Sequence, residues 1–221
     1  MQIRPATPLM LMLVTGCGDA LSSDLGALAA GPAFRYQRTL VDQRSDWRYW
    51  HQGEDLGTTW REPDWEGAGG GQSGTGPLGY GEDYVNAIPC GHDHVGRPVT
   101  VYFRRSFYVE DPRVVEALRV EVMYDDGFVF YLNGEEGGRA GMPIGEVTSQ
   151  TLATGHEAHG SYVSFDATAL RGKLHAGWNT LAVEVHQQTA SSSDLVFDAA
   201  LVAEVRAPMP APLLSLRPEQ R

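Results

Sequence analysis

Two stretches near the C-terminus, residues 180–187 and 195–205, alternate between apolar and polar positions. Because successive side chains of a β-strand point to opposite faces, each stretch predicts a strand with one apolar face. The opposite faces carry Glu184 and His186 in the first stretch and Asp198 in the second. We expect the strands to pair as antiparallel neighbours, with all three polar side chains on one side of a sheet. The residues expected to point inward are Leu181, Val183, Val185, Leu195, Phe197, Ala199, Leu201 and Ala203.

Further strand signals recur through the middle of the chain, where β-branched and aromatic residues are bounded by turn-forming residues. The stronger ones are residues 99–109, 117–124, 128–132 and 161–167, with weaker ones at 36–41 and 47–51. The best helical candidate is a single turn over residues 166–174, with Asp166 as its cap. Many short strands separated by turns predict an all-β fold, a single jelly-roll β-sandwich of about eight or more antiparallel strands.

Two turn sequences flank the predicted strand at residues 128–132. Asp125-Asp126-Gly127 precedes it and Asn133-Gly134 follows it. These residue types accept a positive φ more readily than most others. Both sequences therefore predict β-hairpin turns.

Composition narrows the class of protein. The 221 residues suit one ordinary domain with tails, and the formal net charge is -11. Since the sequence contains no basic patch, we expect no nucleic-acid partner. The glycine-rich run at residues 67–76 lacks a following Lys-Ser/Thr pair, so it predicts an exposed connection rather than a phosphate-binding loop.

The N-terminus has the features of an export signal. One arginine precedes a short apolar run, and Val14-Thr15-Gly16-Cys17 then resembles the bacterial lipobox. The resemblance implies cleavage before Cys17, lipidation of its sulfur, and attachment to the membrane through this lipid anchor alone. We expect an exported protein of the cell envelope, an outer-membrane lipoprotein. The alternative is a plain secretory signal that is cut further along the chain.

Composition also suggests the boundaries of the folded part. Residues 1–17 form the signal, residues 18–33 are small and polar like a flexible tether, and residues 207–221 form a proline-rich tail. The sandwich is expected over residues 34–206. With Cys17 lipidated, Cys90 has no partner, so no disulfide framework is expected.

The polar residues of the two predicted C-terminal strands, 180–187 and 195–205, are a candidate site. Two carboxylates and an imidazole, as in Glu184, Asp198 and His186, can hold a cation or bind sugar hydroxyls. The alternative is a solvated sheet face that carries mixed charges. For His186 alone, the alternative is a histidine whose ring is satisfied within the sheet.

Several motifs together resemble a known family. They are GPLGYG at residues 76–81, VYFRRSF at 101–107, DDGFVFYLNGEEGGRAGMP at 125–143, and the segment 178–201. As a set they are similar to the galactose-binding-like jelly-roll domain of exported bacterial proteins, over roughly residues 47–205. The resemblance implies an accessory module, of the kind found beside the catalytic domains of metallophosphoesterases and in cell-surface assembly proteins.

The resemblance also adds residues to the candidate site. It implies that Asp126 and Arg139 bind ligand together with Glu184, His186 and Asp198. It also implies that Asp125 and Asp194 hold a metal, with Ca²⁺ as a possible cofactor. Each residue has a structural alternative. Asp125 and Asp126 serve the turn, Arg139 forms an ion pair with Glu184, and Asp194 caps the serine-rich turn before it.

Other chemistry is weakly supported. Cys90, His92 and His94 lie close together, but a structural zinc site needs four ligands and no second cluster is present in the sequence. The sequence has no nucleophile elbow or zinc-protease motif. Glu184 with Asp198 is the one carboxylate pair that we consider for glycoside hydrolysis. We expect no enzyme activity.

Aromatic residues crowd the N-terminal third of the chain. Trp and Tyr rings on loops stack on sugar faces, and the alternative is that they pack against the sandwich. These residues are Trp47, Trp50, Trp60, Trp65, Tyr80 and Tyr84. We therefore expect a surface-anchored, non-catalytic recognition module for carbohydrate or an envelope protein. The alternatives are a scaffold lipoprotein that mediates protein–protein contacts, or an accessory domain of a hydrolase system.

Overall fold

The structure is a computed structural model that describes residues 33–67, 69, 71–89 and 97–208. The predicted signal with Cys17, the tether up to residue 32, and the tail beyond residue 208 lie outside the described residues. So does the Cys90, His92 and His94 cluster.

The described part of the chain forms twelve strands and three short 3-10 helices. The helices are Thr59–Arg61, Pro112–Val114 and Thr168–Lys173. The strands are β1 (Ala33–Val41), β2 (Asp46–Trp50), β3 (Gln72–Thr75), β4 (Leu78–Tyr80), β5 (Asn86–Ala87), β6 (Thr100–Val109), β7 (Val115–Asp125), β8 (Gly127–Leu132), β9 (Glu135–Ala140), β10 (Val163–Asp166), β11 (Gly177–His186) and β12 (Leu195–Pro208).

The strands form two six-stranded sheets that pack face to face. Sheet A has the order β10-β7-β12-β4-β5, with β1 also paired to β12, and sheet B has the order β3-β2-β6-β11-β8-β9. The described strand pairs are antiparallel except β4 with β5, which is parallel. The prediction of an all-β sandwich is confirmed.

The main core lies between the two sheets. At its centre the ring of Phe197 from sheet A stacks on Phe103 from sheet B, with 4.0 Å between the ring centroids. The edge of Trp47 meets the same Phe197 ring at 4.9 Å. All the apolar residues that the period-two pattern assigns to the inside of the C-terminal strands belong to this core, so that prediction is confirmed.

The predicted pairing of the two C-terminal strands is wrong. β11 lies between β6 and β8 in sheet B, whereas β12 pairs with β1, β4 and β7 in sheet A. The serine-rich segment between them crosses from one sheet to the other instead of closing a hairpin. Alternation determines which face of a strand is buried, but both sheets of a sandwich bury the same kind of face.

The two predicted turns have different outcomes. Asn133 and Gly134 have φ values of 49° and 87° and join β8 to β9 as a hairpin, as predicted. The Asp125-Asp126-Gly127 sequence is not a hairpin, because β7 belongs to sheet A and β8 to sheet B. Its residues carry the chain across the edge of the sandwich, and the peptide bond between Asp125 and Asp126 is cis.

The predicted helical turn is the 3-10 helix Thr168–Lys173. Asp166 Oδ1 accepts a hydrogen bond from the backbone N–H of Thr168 at 2.9 Å, but the N-cap position is Ala167, so Asp166 is not the cap that the sequence predicts. Across the described residues, no helix has the length and apolarity that crossing a membrane requires.

A loop layer covers part of the outer face of sheet B. The segment between β2 and β3 brings Trp60, which is fully buried, onto Tyr102 and Tyr131 of the sheet. These aromatic rings form a second hydrophobic cluster with Trp50, and the half-buried Trp65 packs against it. The rest of this face stays open and forms the cleft described below.

Candidate functional site

The predicted trio of polar residues is divided between opposite sides of the sandwich. Glu184 and His186 lie on the outer face of sheet B, and Asp198 lies on the outer face of sheet A. The prediction that they share one side of a sheet is therefore wrong. Glu184 and Asp198 also cannot form the carboxylate pair considered for glycoside hydrolysis, since the whole core lies between them.

Glu184 is the centre of a buried polar network. It is 1% exposed, and its Oε1 accepts a hydrogen bond from the Tyr131 hydroxyl at 2.5 Å. Arg61 Nη2 lies 3.4 Å from the same oxygen, and the Arg61 guanidinium stacks over the Tyr131 ring at 4.0 Å. Burial and the negative charge of Glu184 raise the pKa of both Tyr131 and Tyr102. The network fastens the covering loop to sheet B.

His186 extends this network at the end of β11. Its Nε2 lies 3.4 Å from Glu184 Oε2, and its Nδ1 lies 2.9 Å from Thr100 Oγ1 and 2.8 Å from the Thr151 carbonyl oxygen. The side chain is completely buried. The Nδ1 contacts agree with the alternative of a histidine held within the sheet, but Nε2 has no hydrogen-bond partner among the described residues, and a role in ligand binding stays a prediction.

The structural alternative for Arg139, an ion pair with Glu184, is wrong. Arg139 forms a bidentate ion pair with Glu136 on the same edge strand, and both N–O distances are 2.7 Å. Its Nη1 also donates to the carbonyl oxygens of Pro143 and Gly145. β9 is the edge strand beyond β8, so Arg139 holds a surface loop while Arg61 takes the place beside Glu184.

Asp198 is enclosed beneath the loops that cover sheet A. Its Oδ2 accepts hydrogen bonds from the Tyr162 hydroxyl at 2.5 Å and from the Arg44 backbone N–H at 2.7 Å, and its Oδ1 accepts from the Ala199 N–H. Burial raises the pKa of Asp198, and these hydrogen bonds offset part of that rise. The carboxyl group thus positions the surrounding loops.

An acidic cluster lies where β7 ends and β12 begins. One carboxylate oxygen from each of Asp125, Glu157 and Asp194 lies within 4.8 Å of the others. Asp125 is 2% exposed, and burial, followed by the charges of Asp194 and Asp126, raises its pKa to about 8. The structure thus brings together the two predicted metal ligands, Asp125 and Asp194, and adds Glu157.

The neighbours of this cluster fix its geometry. Asp126 Oδ2 accepts a hydrogen bond from the Gln188 N–H at 2.7 Å, which ties the crossing after β7 to the segment after β11. Arg97 Nη1 donates to the carbonyl oxygens of Ser192 and Ser193, so it holds the turn that presents Asp194. Asp126 therefore supports the cluster indirectly, by holding the backbone of the segment that follows β11.

The open part of the outer face of sheet B forms a cleft of about 430 Å³. We call it the arginine–tryptophan cleft. The register of the sheet places Ser73 beside Arg48 and Arg48 beside Arg104 on this face. The lining residues are Asp46, Trp47, Arg48, Trp50, Pro63, Trp65, Gly67, Ser73, Arg104, Arg105, Ser106 and Trp178.

Guanidinium groups and indole rings alternate within the cleft. The Arg48 guanidinium lies over the Trp50 ring at 5.3 Å, and that of Arg104 lies over Trp65 at 5.2 Å. Arg104 Nη1 donates to the carbonyl oxygens of Trp60 and Glu62. Burial, followed by the positive charge of Arg48, lowers the pKa of Arg104 to about 10. Arg48 and Arg104 thus place two guanidinium groups in the cleft, with the carboxylates of Asp64 and Glu62 near Arg104.

The rim of the cleft carries an exposed aromatic pair. Trp178 is 66% exposed and meets the ring of Tyr108 edge-on at 5.6 Å. Of the aromatic residues singled out from the sequence, Trp47, Trp50, Trp60 and Tyr80 are buried, so the packing alternative is confirmed for these four. Trp65 is half-buried and Tyr84 is exposed.

Sequence reasoning missed Arg48, Arg104 and Trp178. Arg48 lies between Trp47 and Tyr49, which both belong to the main core, so the alternation along β2 is a signal that Arg48 faces outward. Arg104 and Trp178 lie on strands whose pairing with β2 and β6 could not be read from local sequence. Their convergence depends on the order of strands in sheet B.

Comparisons with known proteins give partial structural likenesses. No protein-family model matches the chain, and no curated protein matches it. The β-glucuronidase of Bacteroides uniformis shares 17% identity over 77% of this chain and 18% of that chain, with a TM-score of 0.49. The β-glucuronidase of an uncultured Clostridium sp. shares 16% identity over 76% of this chain and 29% of that chain, with a TM-score of 0.46. The β-glucuronidase of Ruminococcus gnavus shares 11% identity over 77% of this chain and 29% of that chain, with a TM-score of 0.48. The chain thus spans less than a third of each enzyme.

Proposed function

We propose that this protein is a non-catalytic carbohydrate-recognition module that binds its ligand in the arginine–tryptophan cleft. One observation carries the proposal: an open cleft of about 430 Å³ combines indole rings with hydrogen-bond donors on a rigid sheet. This volume lies within the range of small-ligand sites. Aromatic rings pack against the apolar faces of sugars, while guanidinium and hydroxyl groups bind their oxygens.

The sequence motifs support a wider setting for this module. We propose that the sandwich is of the galactose-binding-like kind, on the basis of the motifs at residues 125–143 and 178–201. The apolar run before Cys17 supports export and a lipid anchor in the cell envelope, which intact-mass analysis of the exported chain would test. A scaffold role without a small ligand is the alternative.

Replacing Trp178 with alanine is expected to weaken carbohydrate binding about tenfold, because the ring offers the most exposed stacking surface of the cleft. Binding of the full chain to a glycan array, followed by calorimetry with the best ligand, measures this effect. The melting temperature should change little, since 66% of the side chain is already exposed.

Tyr36→Ala is the matched control for this experiment. Tyr36 is 41% exposed and lies on β1 of the opposite sheet, so its replacement should leave binding unchanged. Equal loss of binding in both variants would argue against the cleft as the site. No binding to any glycan would leave the scaffold role.

We propose secondly that the acidic cluster of Asp125, Glu157 and Asp194 holds Ca²⁺ as a structural ion. Carboxylate oxygens are the preferred ligands of Ca²⁺, and three of them already lie within 4.8 Å of one another. A divalent cation would also offset the repulsion between Asp125 and Asp194, which contributes to the raised pKa of Asp125. The ion would lock the turn after β11 against the end of β7.

Asp125→Asn is expected to abolish stabilisation by Ca²⁺ and to change the pH dependence of stability. The pKa of Asp125 is about 8 in the folded chain against a usual 3.8, so the folded state retains the proton more strongly. Without Ca²⁺ the wild type should therefore lose stability as the pH rises from about 4 to about 8, and the variant should lose less. Thermal denaturation at pH 5 and pH 8, with Ca²⁺ or chelator, measures both effects.

Asp42→Asn serves as the control because Asp42 is exposed and lies outside the cluster. It should keep the response to Ca²⁺. If Ca²⁺ raises the melting temperature of Asp125→Asn as much as that of the wild type, the ion binds elsewhere.

A further inference from the structure

We propose that the arginine–tryptophan cleft selects sugars that carry an anionic group, a carboxylate or a sulfate, and that the Arg48 guanidinium binds this group. The inference rests on the proposed carbohydrate-binding function and names the class of its ligand. Three observations carry it: the local charge of the cleft, the availability of Arg48, and the mixture of rings and hydroxyls around it.

The charge of the cleft is opposite to that of the whole chain. The formal net charge is -11, yet Arg48, Arg104 and Arg105 all line this one cleft. Asp46 is the one acidic residue among the described lining residues, and its carboxylate already accepts a hydrogen bond from Thr75 Oγ1 at 2.5 Å. A local positive field on an acidic protein attracts anions to this point and repels them elsewhere.

Arg48 is the guanidinium that remains available to a ligand. Arg104 donates to the carbonyl oxygens of Trp60 and Glu62, and Arg105 donates to that of Asp46. The Arg48 side chain is exposed, and its contact within the described residues is with the face of Trp50. No described acceptor binds it. A planar guanidinium presents a fork of donors that matches a carboxylate or a sulfate.

Repulsion within the cleft favours the same occupant. Arg48 and Arg104 are directly paired in the register of β2 and β6, so two like charges face each other on adjacent strands. The pKa of Arg104 is lowered to about 10, partly because of Arg48. An anion bound between them would relieve this repulsion, since opposite charges within a few ångströms stabilise each other.

The remaining lining favours a sugar over a plain polyanion. Trp178 and Trp65 present ring surface beside the arginines, and the hydroxyls of Ser73 and Ser106 are exposed at the same site. A sugar acid offers an apolar ring face, hydroxyl groups and a charge at once. An acidic peptide would use the charges but not the flat indole faces.

The test compares the affinity of the full chain for four probes by calorimetry. They are a galacturonate hexasaccharide, its neutral methyl ester, a sulfated hexasaccharide, and a glutamate hexapeptide. We expect at least one of the two anionic sugars to bind about tenfold more tightly than the methyl ester, and the preference to shrink as salt is added. The carboxylate and sulfate arms identify which anion the cleft takes.

Arg48→Gln is expected to remove this preference, lowering affinity for the preferred anionic sugar about tenfold while leaving the methyl ester unchanged. Arg38→Gln is the matched control, because it makes the same charge change at an exposed position on β1 of sheet A. The control should retain full preference. Unchanged melting temperatures would show that both variants keep the fold.

The outcomes separate this inference from the proposed function. Equal affinity for both anionic sugars and the methyl ester, with binding still lost in Trp178→Ala, would overturn the inference and keep carbohydrate recognition. Glutamate peptide binding as tight as that of the sugars would also overturn it, in favour of a general anion surface. Failure of every sugar to bind would overturn both.

Discussion

Replacing Glu184 with alanine is expected to lower the free energy of unfolding by about 3 kcal/mol, because it leaves a partly buried cation and a buried hydroxyl without their partner. The Glu184 side chain is 2% exposed, and that of Arg61 is 16% exposed. The Tyr131 hydroxyl, which is also buried, loses its acceptor in the variant. Urea denaturation followed by tryptophan fluorescence measures the change in stability.

Glu136→Ala is the control for this prediction. Glu136 pairs with Arg139 at 2.7 Å, but its side chain is 37% exposed, so its loss should cost less than about 1 kcal/mol. A double-mutant cycle of Glu184→Ala with Arg61→Ala would isolate the pair itself. If Glu184→Ala and Glu136→Ala destabilise equally, Glu184 does not anchor the covering loop.

Replacing Phe197 with alanine is expected to lower the free energy of unfolding by about 4 kcal/mol, the largest effect predicted for this protein. The ring is completely buried, stacks on Phe103 at 4.0 Å and meets Trp47 at 4.9 Å. Its removal leaves a cavity between the two sheets and separates the aromatic contacts that join them. Chemical denaturation at equilibrium gives the value.

Phe34→Ala makes the same chemical change at a position that is 43% exposed. Phe34 lies on β1, in the same sheet as Phe197. We expect a loss of less than about 1 kcal/mol there. Comparable losses would mean that the interior between the sheets tolerates the cavity by collapsing around it.

The burial pattern of the strands could be predicted because it is a local property. Leu181, Val183 and Val185 recur at every second position, and a strand with that pattern buries those residues whichever sheet it joins. The Asn133-Gly134 turn was also predictable, because both residues adopt the positive φ that a tight hairpin requires.

The partners of each strand could not be predicted from the same signals. β11 and β12 both have one apolar face, and a hairpin and a crossover between sheets satisfy that pattern equally. Asp125-Asp126-Gly127 has the composition of a hairpin turn, yet it carries the chain from sheet A to sheet B. The choice depends on packing between distant segments rather than on turn chemistry.

The candidate sites could not be predicted for the same reason, since they also depend on which strands pair. Asp125 and Asp194 are near each other because β7 and β12 pair, and Glu157 joins them from a loop that has no motif. Arg48 and Arg104 are unremarkable in their local sequence, and they become a charged pair once β2 lies beside β6. A site built from several strands is visible only when the sheet order is known.

Ligand binding in the arginine–tryptophan cleft can be tested directly by titrating the ¹⁵N-labelled chain with the galacturonate hexasaccharide and following the indole N–H signals of its five tryptophans. We expect the signals of Trp65 and Trp178, which line the cleft, to shift on binding while that of the fully buried Trp60 stays in place. Shifts confined to the backbone around Asp125, Glu157 and Asp194, with the indole signals unchanged, would contradict ligand binding in the cleft.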